Sequence, residues 1–251
     1  MNRPLVALRS SVEHLAHVVQ RLNPAQYGSP AYPTDWSIAD VFSHLGSSGA
    51  ILTRRFDDIV AGRATEESLN QPIWEQWNAK APASQVREAL DANVTLLERL
   101  ESLDNIRRDT FQFSMGPMDF DFSGFVGLRL NELVLHTWDV EVMIDPSARL
   151  WRGAVDVVVD NLDTIVRFSG RPSGVAHNLG VRTVDPYRLF TFSFGLASVE
   201  LISDAPVGRR DLEIPAEALI RLVYGRLDPA HTPPVVDVAH LDDLRRAFPG
   251  I

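Results

Sequence analysis

The sequence predicts a mainly α-helical protein with a small α+β part: a four-helix bundle followed by a small C-terminal α+β domain. Four long segments before residue 145 carry apolar residues at helical spacing. Residues 169–174, Ser-Gly-Arg-Pro-Ser-Gly, then interrupt the helical pattern with a composition typical of a loop. Beyond this loop, apolar and polar residues alternate as they do in half-buried strands. The change of period indicates where the two parts of the chain meet.

The predicted bundle consists of four helices joined in part by long connections. The helices are expected over residues 4–22, 38–62, 82–100 and 122–144. Thr34 or Ser37 can cap the second helix, and Val94 is assigned to the apolar stripe of the third. Residues 63–81 and 102–121 are expected as loops, and loops of this length in a compact domain are often functional. The arrangement fits an antiparallel four-helix bundle.

The remaining chain completes the first domain and forms the second. Its elements are a fifth helix over residues 151–168, a hairpin with strands at 189–194 and 199–201, and helices over 215–226 and 240–248. We place the boundary in the Pro- and Gly-containing loop, because such loops separate domains. The predicted domains are therefore a helical bundle over residues 1–170 and an α+β domain over residues 171–251.

Composition and charge exclude several classes of function. The chain has a formal net charge of -9, whereas nucleic-acid-binding surfaces usually carry a basic excess. No apolar run approaches the roughly 20 residues of a membrane span, and the N-terminal region lacks the apolar run of a signal peptide. We therefore expect a cytoplasmic protein, a monomer or a homodimer, that binds neither nucleic acid nor membrane. The chain has no cysteine, so any thiol chemistry must use the sulfur of a bound small molecule.

The fourth predicted helix carries ionisable residues in a segment that is otherwise almost wholly apolar. At about 100° per residue, four of them fall within about 80° and share one face: Arg129, Glu132, His136 and Asp139. This face is either the solvent side of an amphipathic helix or a buried polar band. Apolar residues bracket it on both sides along the helix, which favours the buried band. A buried carboxylate or imidazole must be paired, hydrogen-bonded or bound to a metal.

Two residues of this band have the spacing of metal ligands. Glu132 and His136, four apart on one helix, can direct ligand atoms to a common centre. His44, at the edge of the second helix's apolar stripe, is the candidate third ligand, although alone it also fits a hydrogen-bonded core histidine. Two histidines and a carboxylate leave positions open, which suits catalytic zinc or another divalent metal. Asp139 and Arg129 either orient the ligands from behind or form an ion pair on the helix surface.

Several segments of the chain resemble a known family. DWSIADVFSHL, WEQWNAK, GLRLNELVLHTWDVEV, LIRLVYGRLD and the terminal LRRAFPG are similar, in this order, to the mycothiol-dependent maleylpyruvate isomerase family within the DinB-like metalloenzymes. The resemblance implies a DinB-like bundle that binds a divalent metal, usually zinc, through His44, Glu132 and His136. It also implies a C-terminal domain of the family's type, in which Gly225 and Arg226 match a Gly-Arg pair. Arg226 would then face a cleft and hold an anionic substrate, the alternative being a helix C-terminal charge.

The resemblance further implies a thiol-dependent enzyme. The metal would lower the pKa of mycothiol, and the thiolate would add to a small anionic, keto acid-like or natural-product substrate, which is isomerised or kept as an S-conjugate. Candidate contacts to mycothiol are Trp36, Trp74, Trp77, Asn78 and Arg226, with core packing the alternative for any single tryptophan. Two other functions stay open. One is a non-catalytic, metal-stabilised binding or regulatory protein, and the other is a metal-dependent hydrolase of thiol conjugates.

Overall fold

The chain forms two compact units, Met1–Ala154 and Val155–Ile251. A computed structural model describes residues 2–33, 35–116, 118–203, 211–237 and 241–250. The expected mainly α-helical fold with a small α+β part is confirmed. No helix in these described ranges is both long enough and apolar enough to cross a membrane.

The first unit is a bundle of four long helices with short elements between them. Its elements are α1 (Arg3–Arg21), α2 (Ile38–Val60), α3 (Asn70–Asn78), α4 (Pro82–Ser102), α5 (Asn105–Asp109), β1 (Phe113–Met115), β2 (Met118–Phe120) and α6 (Phe122–Glu141). Helices α1 and α2 each pack against both α4 and α6, so the four form a closed ring around one core. Most residues of α6 are buried, which explains why this segment is apolar on nearly every side.

The start of α2 is fixed by a reciprocal cap. The Asp40 amide donates to Ser37 Oγ (3.2 Å), and the Ser37 amide donates to Asp40 Oδ2 (2.9 Å). Ser37 is therefore the cap, whereas Thr34 lies outside the described residues. Such a cap satisfies helix amides that would otherwise lack partners, and it sets the register of α2 from its first turn.

Both predicted loops of the bundle contain secondary structure, so these two predictions are wrong. Residues 63–81 include α3, whose only buried residue is Trp77, and the segment therefore shows no apolar period. Residues 102–121 include α5 and the antiparallel pair β1–β2, whose strands have three residues each. Elements this short bury too few residues to produce a periodic pattern.

The contact between α2 and α3 leads to a stability prediction. Gly46 on α2 faces the ring of Trp77, and a Cβ on Gly46 would lie well inside van der Waals distance of that ring. Gly46→Ala should lower the free energy of unfolding by about 1–3 kcal/mol, the usual cost of overpacking a core. Gly127→Ala on α6 is the matched control, because its Cβ would meet nothing within 4 Å, and it should be neutral or stabilising. Chemical denaturation of both variants measures the difference, and equal stabilities would contradict the packing argument.

The second unit contains a four-stranded sheet with helices. Its described elements are α8 (Leu162–Ser169), β3 (His177–Val184), β4 (Arg188–Phe194), β5 (Val199–Ser203), β6 (Leu212–Pro215), α9 (Ala216–Val223) and α10 (Leu241–Ala247), and the division between the units falls inside α7 (Arg152–Val159). The strand order is β5-β4-β3-β6, with β3 and β6 parallel and the other pairs antiparallel. Helix α8 packs on β5 and α9, and α9 packs on β6 and β3. Phe192 on β4 contacts Phe248, which follows α10.

Three expectations for this region need correction. The single helix over residues 151–168 is two helices, because Asn161 leaves the helical conformation and donates from Nδ2 to the Val157 carbonyl (2.8 Å). The expected hairpin is present as β4 and β5, but β3 and β6 complete the sheet. The division between the units lies at Ala154 and Val155 rather than at residue 170, since α8 packs within the second unit. The expected start of the last helix at residue 240 lies outside the described residues.

Candidate metal centre

Three side chains from α2 and α6 converge at one point of the first unit. His44 Nε2 lies 2.9 Å from Glu132 Oε2, and His136 Nε2 lies 3.6 Å from the same oxygen. One ligand atom from each residue lies within 4.8 Å of the others. The rings of His44 and His136 meet edge to face, with centroids 4.6 Å apart. This group of three could therefore hold a metal ion.

The site is open on one side and closed on the other. The side chain of Glu132 is 43% exposed and that of His44 is 31% exposed, whereas His136 is 12% exposed. On the closed side, His136 Nδ1 lies 2.8 Å from Asp139 Oδ2, and the Asp139 side chain is fully buried. An imidazole that donates Nδ1–H to a carboxylate keeps its Nε2 lone pair free. In the neutral ring, Nε2 of His136 therefore faces Glu132 and is available to a cation.

The electrostatics of the site follow from these contacts. Burial alone would raise the pKa of Glu132, but hydrogen bonds and charge interactions with His136 and His44 outweigh it and hold the pKa well below its usual range. Burial alone would lower the pKa of His136, but the carboxylates of Asp139 and Glu132 outweigh it and raise the pKa. The centre is thus an anionic carboxylate between two imidazoles, which is a donor set suited to a cation.

Trp36 forms a wall of the site. Its ring stacks on His136 at a centroid distance of 5.8 Å and lies 5.3 Å from His44. The loop before α2 holds it in place, because the Trp36 carbonyl accepts from the Ala31 amide (2.8 Å) and its amide donates to Pro33 (2.9 Å). Among the residues expected to contact mycothiol, Trp36 borders two of the three candidate ligands, His44 and His136.

Arg129 and Asp139 are both buried, so the interpretation as an ion pair on the helix surface is wrong. Arg129 is 1% exposed and donates to Leu45 O, Ser48 Oγ and Asn93 Oδ1. The polar face of α6 is therefore buried at Arg129 and Asp139, as the apolar bracketing indicated, and partly open at Glu132 between them.

A family model identifies the group of proteins to which this fold and site belong. The model described as the mycothiol maleylpyruvate isomerase N-terminal domain matches residues 8–141, more than half of the chain. The chain belongs to this family. The match covers every candidate ligand and ends at the last residue of α6.

Two solved structures share the fold of this family member. A mycothiol-dependent maleylpyruvate isomerase matches with a TM-score of 0.65 and 12% identity, over 93% of this chain and 95% of that chain. A mutant of a mycothiol-dependent maleylpyruvate isomerase matches with the same TM-score and identity, over 89% and 88%. A search of the curated proteins found no match. The family and both structures are named for an isomerase, which is an enzyme class.

Of the other residues expected to contact mycothiol, Trp77 packs in the core of this family member, whereas Asn78 and Trp74 are exposed. Trp77 is buried against Gly46, and the Lys80 ammonium lies 3.4 Å from the centroid of its ring. Asn78 is exposed and accepts from Ser43 Oγ at 2.8 Å. Trp74 is 41% exposed on α3. Contact of these three residues with mycothiol stays a prediction.

Arg226 lies in the second unit, just after α9. Its Nη1 donates to the Tyr224 carbonyl at 2.9 Å, as expected for a cation at a helix C-terminus. Gly225 before it has a φ of +71°, and a Cβ there would collide with the backbone of Gly250. The Gly-Arg pair is thus held by backbone packing, and the role of Arg226 in substrate binding stays a prediction.

The residues behind the site were missed by sequence reasoning. Asn93 on α4 and Ser48 on α2 accept from Arg129 at 2.5 and 2.7 Å. Val94, assigned to the core stripe of this helix, is instead 42% exposed. Asn93 could have been found from its spacing, because it lies three or four residues from its neighbours in the buried row of α4. The other members of this row are Val86, Ala89 and Leu97.

Proposed function

We propose that the protein is a divalent-metal-dependent, mycothiol-using isomerase or S-transferase that acts on a small anionic, keto acid-like or natural-product substrate. The observation that carries the proposal is the convergence of His44, Glu132 and His136 at a partly open edge of the bundle. Membership of the mycothiol maleylpyruvate isomerase family supports the thiol and the reaction class.

The geometry of the three side chains fits a divalent ion. Zinc binds imidazole nitrogen and carboxylate oxygen at about 2.0–2.2 Å, so two ligand atoms on one ion lie about 3–4 Å apart. The distances from Glu132 Oε2 to the two Nε2 atoms are 2.9 and 3.6 Å. Three protein ligands are typical of catalytic zinc, whereas structural zinc usually has four. The carboxylate behind His136 is the usual support of such a ligand.

Each part of the site has a separate role in this proposal. When bound, the metal would supply a Lewis acid that favours the thiolate form of a thiol near neutral pH. Asp139 holds His136 in the tautomer that presents Nε2, and Glu132 supplies a negative charge between the imidazoles. Trp36 covers one side of the two histidines. Because the chain has no cysteine, no thiol of its own competes with the external sulfur.

The proposal is tested by metal analysis followed by ligand binding. Protein purified without chelator should contain about one divalent metal ion per chain, with zinc the expected metal. Mycothiol should raise the melting temperature of the metal-loaded protein and have a smaller effect after chelation, since only the native state binds it. Absence of metal, together with no uptake of added zinc or cobalt, would refute the metal centre.

A product assay separates the proposed reaction from hydrolysis. A hydrolase supplied with a mycothiol conjugate releases a free amine, whereas an isomerase or S-transferase does not. We expect no amine. Release of a stoichiometric amine would replace the proposal with the hydrolase function.

Arg226 provides a test of the substrate class. Arg226→Ala should weaken the binding of a keto acid by about 1.5–3 kcal/mol, the usual value of a hydrogen bond to a charged group, with little change in metal affinity. Arg167→Ala is the matched control, because Arg167 is an exposed arginine of the same unit with a long 3.8 Å pair to Asp163. Calorimetric titration with pyruvate measures both variants. Equal losses of keto acid and metal affinity in Arg226→Ala would contradict the proposed role.

A further inference from the structure

Arg129 is a fully buried cation beneath the candidate metal centre. Its Nη2 donates to the Leu45 carbonyl (2.8 Å) and to Asn93 Oδ1 (2.5 Å), and its Nη1 donates to Ser48 Oγ (2.7 Å). Its Nε is also buried and has no hydrogen-bond partner in the part of the chain that the structure describes. A structural tie between helices needs hydrogen bonds but no charge, so the choice of arginine here requires a further explanation.

The charge of Arg129 is not cancelled by an ion pair. All its hydrogen-bond acceptors are neutral groups, and within the described ranges no carboxylate pairs with it. Burial lowers the pKa of Arg129 to about 10, while the negative charge of Glu132 partly offsets the decrease. The guanidinium is therefore protonated at neutral pH, and its field is screened little because it lies in the interior.

The position of this charge connects it to the ligands. Arg129 lies three residues before Glu132 on α6, which is about one helical turn. On α2, Arg129 donates to the carbonyl of Leu45, the residue after His44, and to Ser48 Oγ. Ser48 Oγ in turn donates to the His44 carbonyl at 2.7 Å. The cation thus lies behind two of the three candidate ligands, while Glu132 and His44 are partly exposed.

A charge count shows what this cation changes. With neutral imidazoles, the carboxylates of Glu132 and Asp139 cancel the two charges of a divalent ion. Arg129 then leaves the centre with one net positive charge, and one bound monoanion returns it to zero. Without Arg129, the same anion would give a net negative charge in a partly buried site, which is unfavourable.

This inference rests on the proposed function. We propose that Arg129 sets the net charge of the metal centre, so that the centre binds a monoanionic thiolate in preference to a neutral ligand. Arg129 does not touch the ligand and acts through its field. The same field opposes metal binding, because it repels the cation. Loss of the charge should therefore weaken thiolate binding and leave metal affinity equal or higher, whereas loss of a purely structural residue should weaken both.

The test removes the net charge while it keeps the guanidinium in place. Asn93→Asp adds a carboxylate at the atom that already accepts from Arg129, so the new pair cancels the field with little change of shape. Asn93→Ala is the matched control, because it removes the same acceptor and adds no charge. Arg129→Lys keeps the charge with fewer hydrogen bonds. The probes are cobalt(II) alone, then 2-mercaptoethanol as the anionic ligand and imidazole as the neutral ligand of the cobalt-loaded protein, all followed by absorption spectroscopy.

The expected result is selective for the charge of the probe. Asn93→Asp should bind 2-mercaptoethanol about tenfold more weakly at pH 7, the effect of one unit charge roughly 12 Å away at an effective dielectric constant of about 20. Its affinities for cobalt and imidazole should not decrease, and Asn93→Ala and Arg129→Lys should bind the thiol as the unaltered protein does. The inference is overturned if Asn93→Asp binds the thiol normally, or if Asn93→Ala weakens it equally. Failure of the unaltered protein to bind cobalt would instead refute the metal centre, and the charge role with it.

Discussion

His44→Ala and His136→Ala should each leave the protein without stoichiometric divalent metal and with an intact helical signal. Each change removes one of three ligand atoms, and two remaining ligands do not hold zinc at catalytic sites. The loss of affinity should exceed the roughly 10- to 100-fold effect of removing a supporting partner. His44 is 31% exposed, so its removal leaves no large internal cavity and α2 should stay folded. Elemental analysis and circular dichroism measure the two properties.

An exposed histidine of the same unit provides the control. His17 lies on the exposed side of α1, and His17→Ala should bind one metal per chain as the unaltered protein does. If His44→Ala and His136→Ala both keep their metal, the metal lies elsewhere and the proposed centre is wrong. If both variants lose the helical signal together with the metal, Glu132→Gln serves as the test variant. It keeps the size of the side chain and removes only its charge, so it should lose the metal and stay folded.

The ligands could be predicted from the sequence because their chemistry coincides with their spacing. Glu132 and His136 are four residues apart, and helical geometry alone brings them together. The choice of His44 as the third ligand depended on an assumption about which helix faces α6. In the structure, α2 packs on α6 and brings His44 to the other two residues. The interpretation of the polar face as buried rested on the apolar residues around it, and the full burial of Asp139 agrees with it.

The groups behind the ligands could not be predicted in the same way. Asn93 and Val94 are adjacent, and a helical period read from apolar residues alone selects Val94. The structure buries Asn93 instead, because Arg129 needs an acceptor from α4. Helix α3 was missed for a related reason, since it buries Trp77 alone and has no stripe. The spacing of apolar residues thus predicts helices that bury a whole face. It fails where a single polar or aromatic contact determines which residue or segment is buried.

Asp139→Asn should weaken metal binding by about 10- to 100-fold at high pH and much less at low pH. The carboxylate of Asp139 orients His136 and makes its imidazole more basic, and loss of such a partner usually costs this much affinity. The same carboxylate raises the pKa of His136 in the metal-free protein, so a metal must displace a proton that Asp139 helps to hold. This competition offsets the benefit of Asp139 as the pH falls.

The sign of the pH dependence follows from that competition. Below the raised pKa of His136, metal affinity should fall about tenfold per pH unit as the imidazole becomes protonated, and above it the affinity should level off. Asp139→Asn lowers this pKa, so its affinity should level off at a lower pH and the two curves should converge in acid. Asp145→Asn is the control, because Asp145 binds Ser147 beyond the end of α6, and it should follow the unaltered curve. Parallel curves for Asp139→Asn and the unaltered protein at every pH would show that Asp139 only positions the ring and has no effect on its proton.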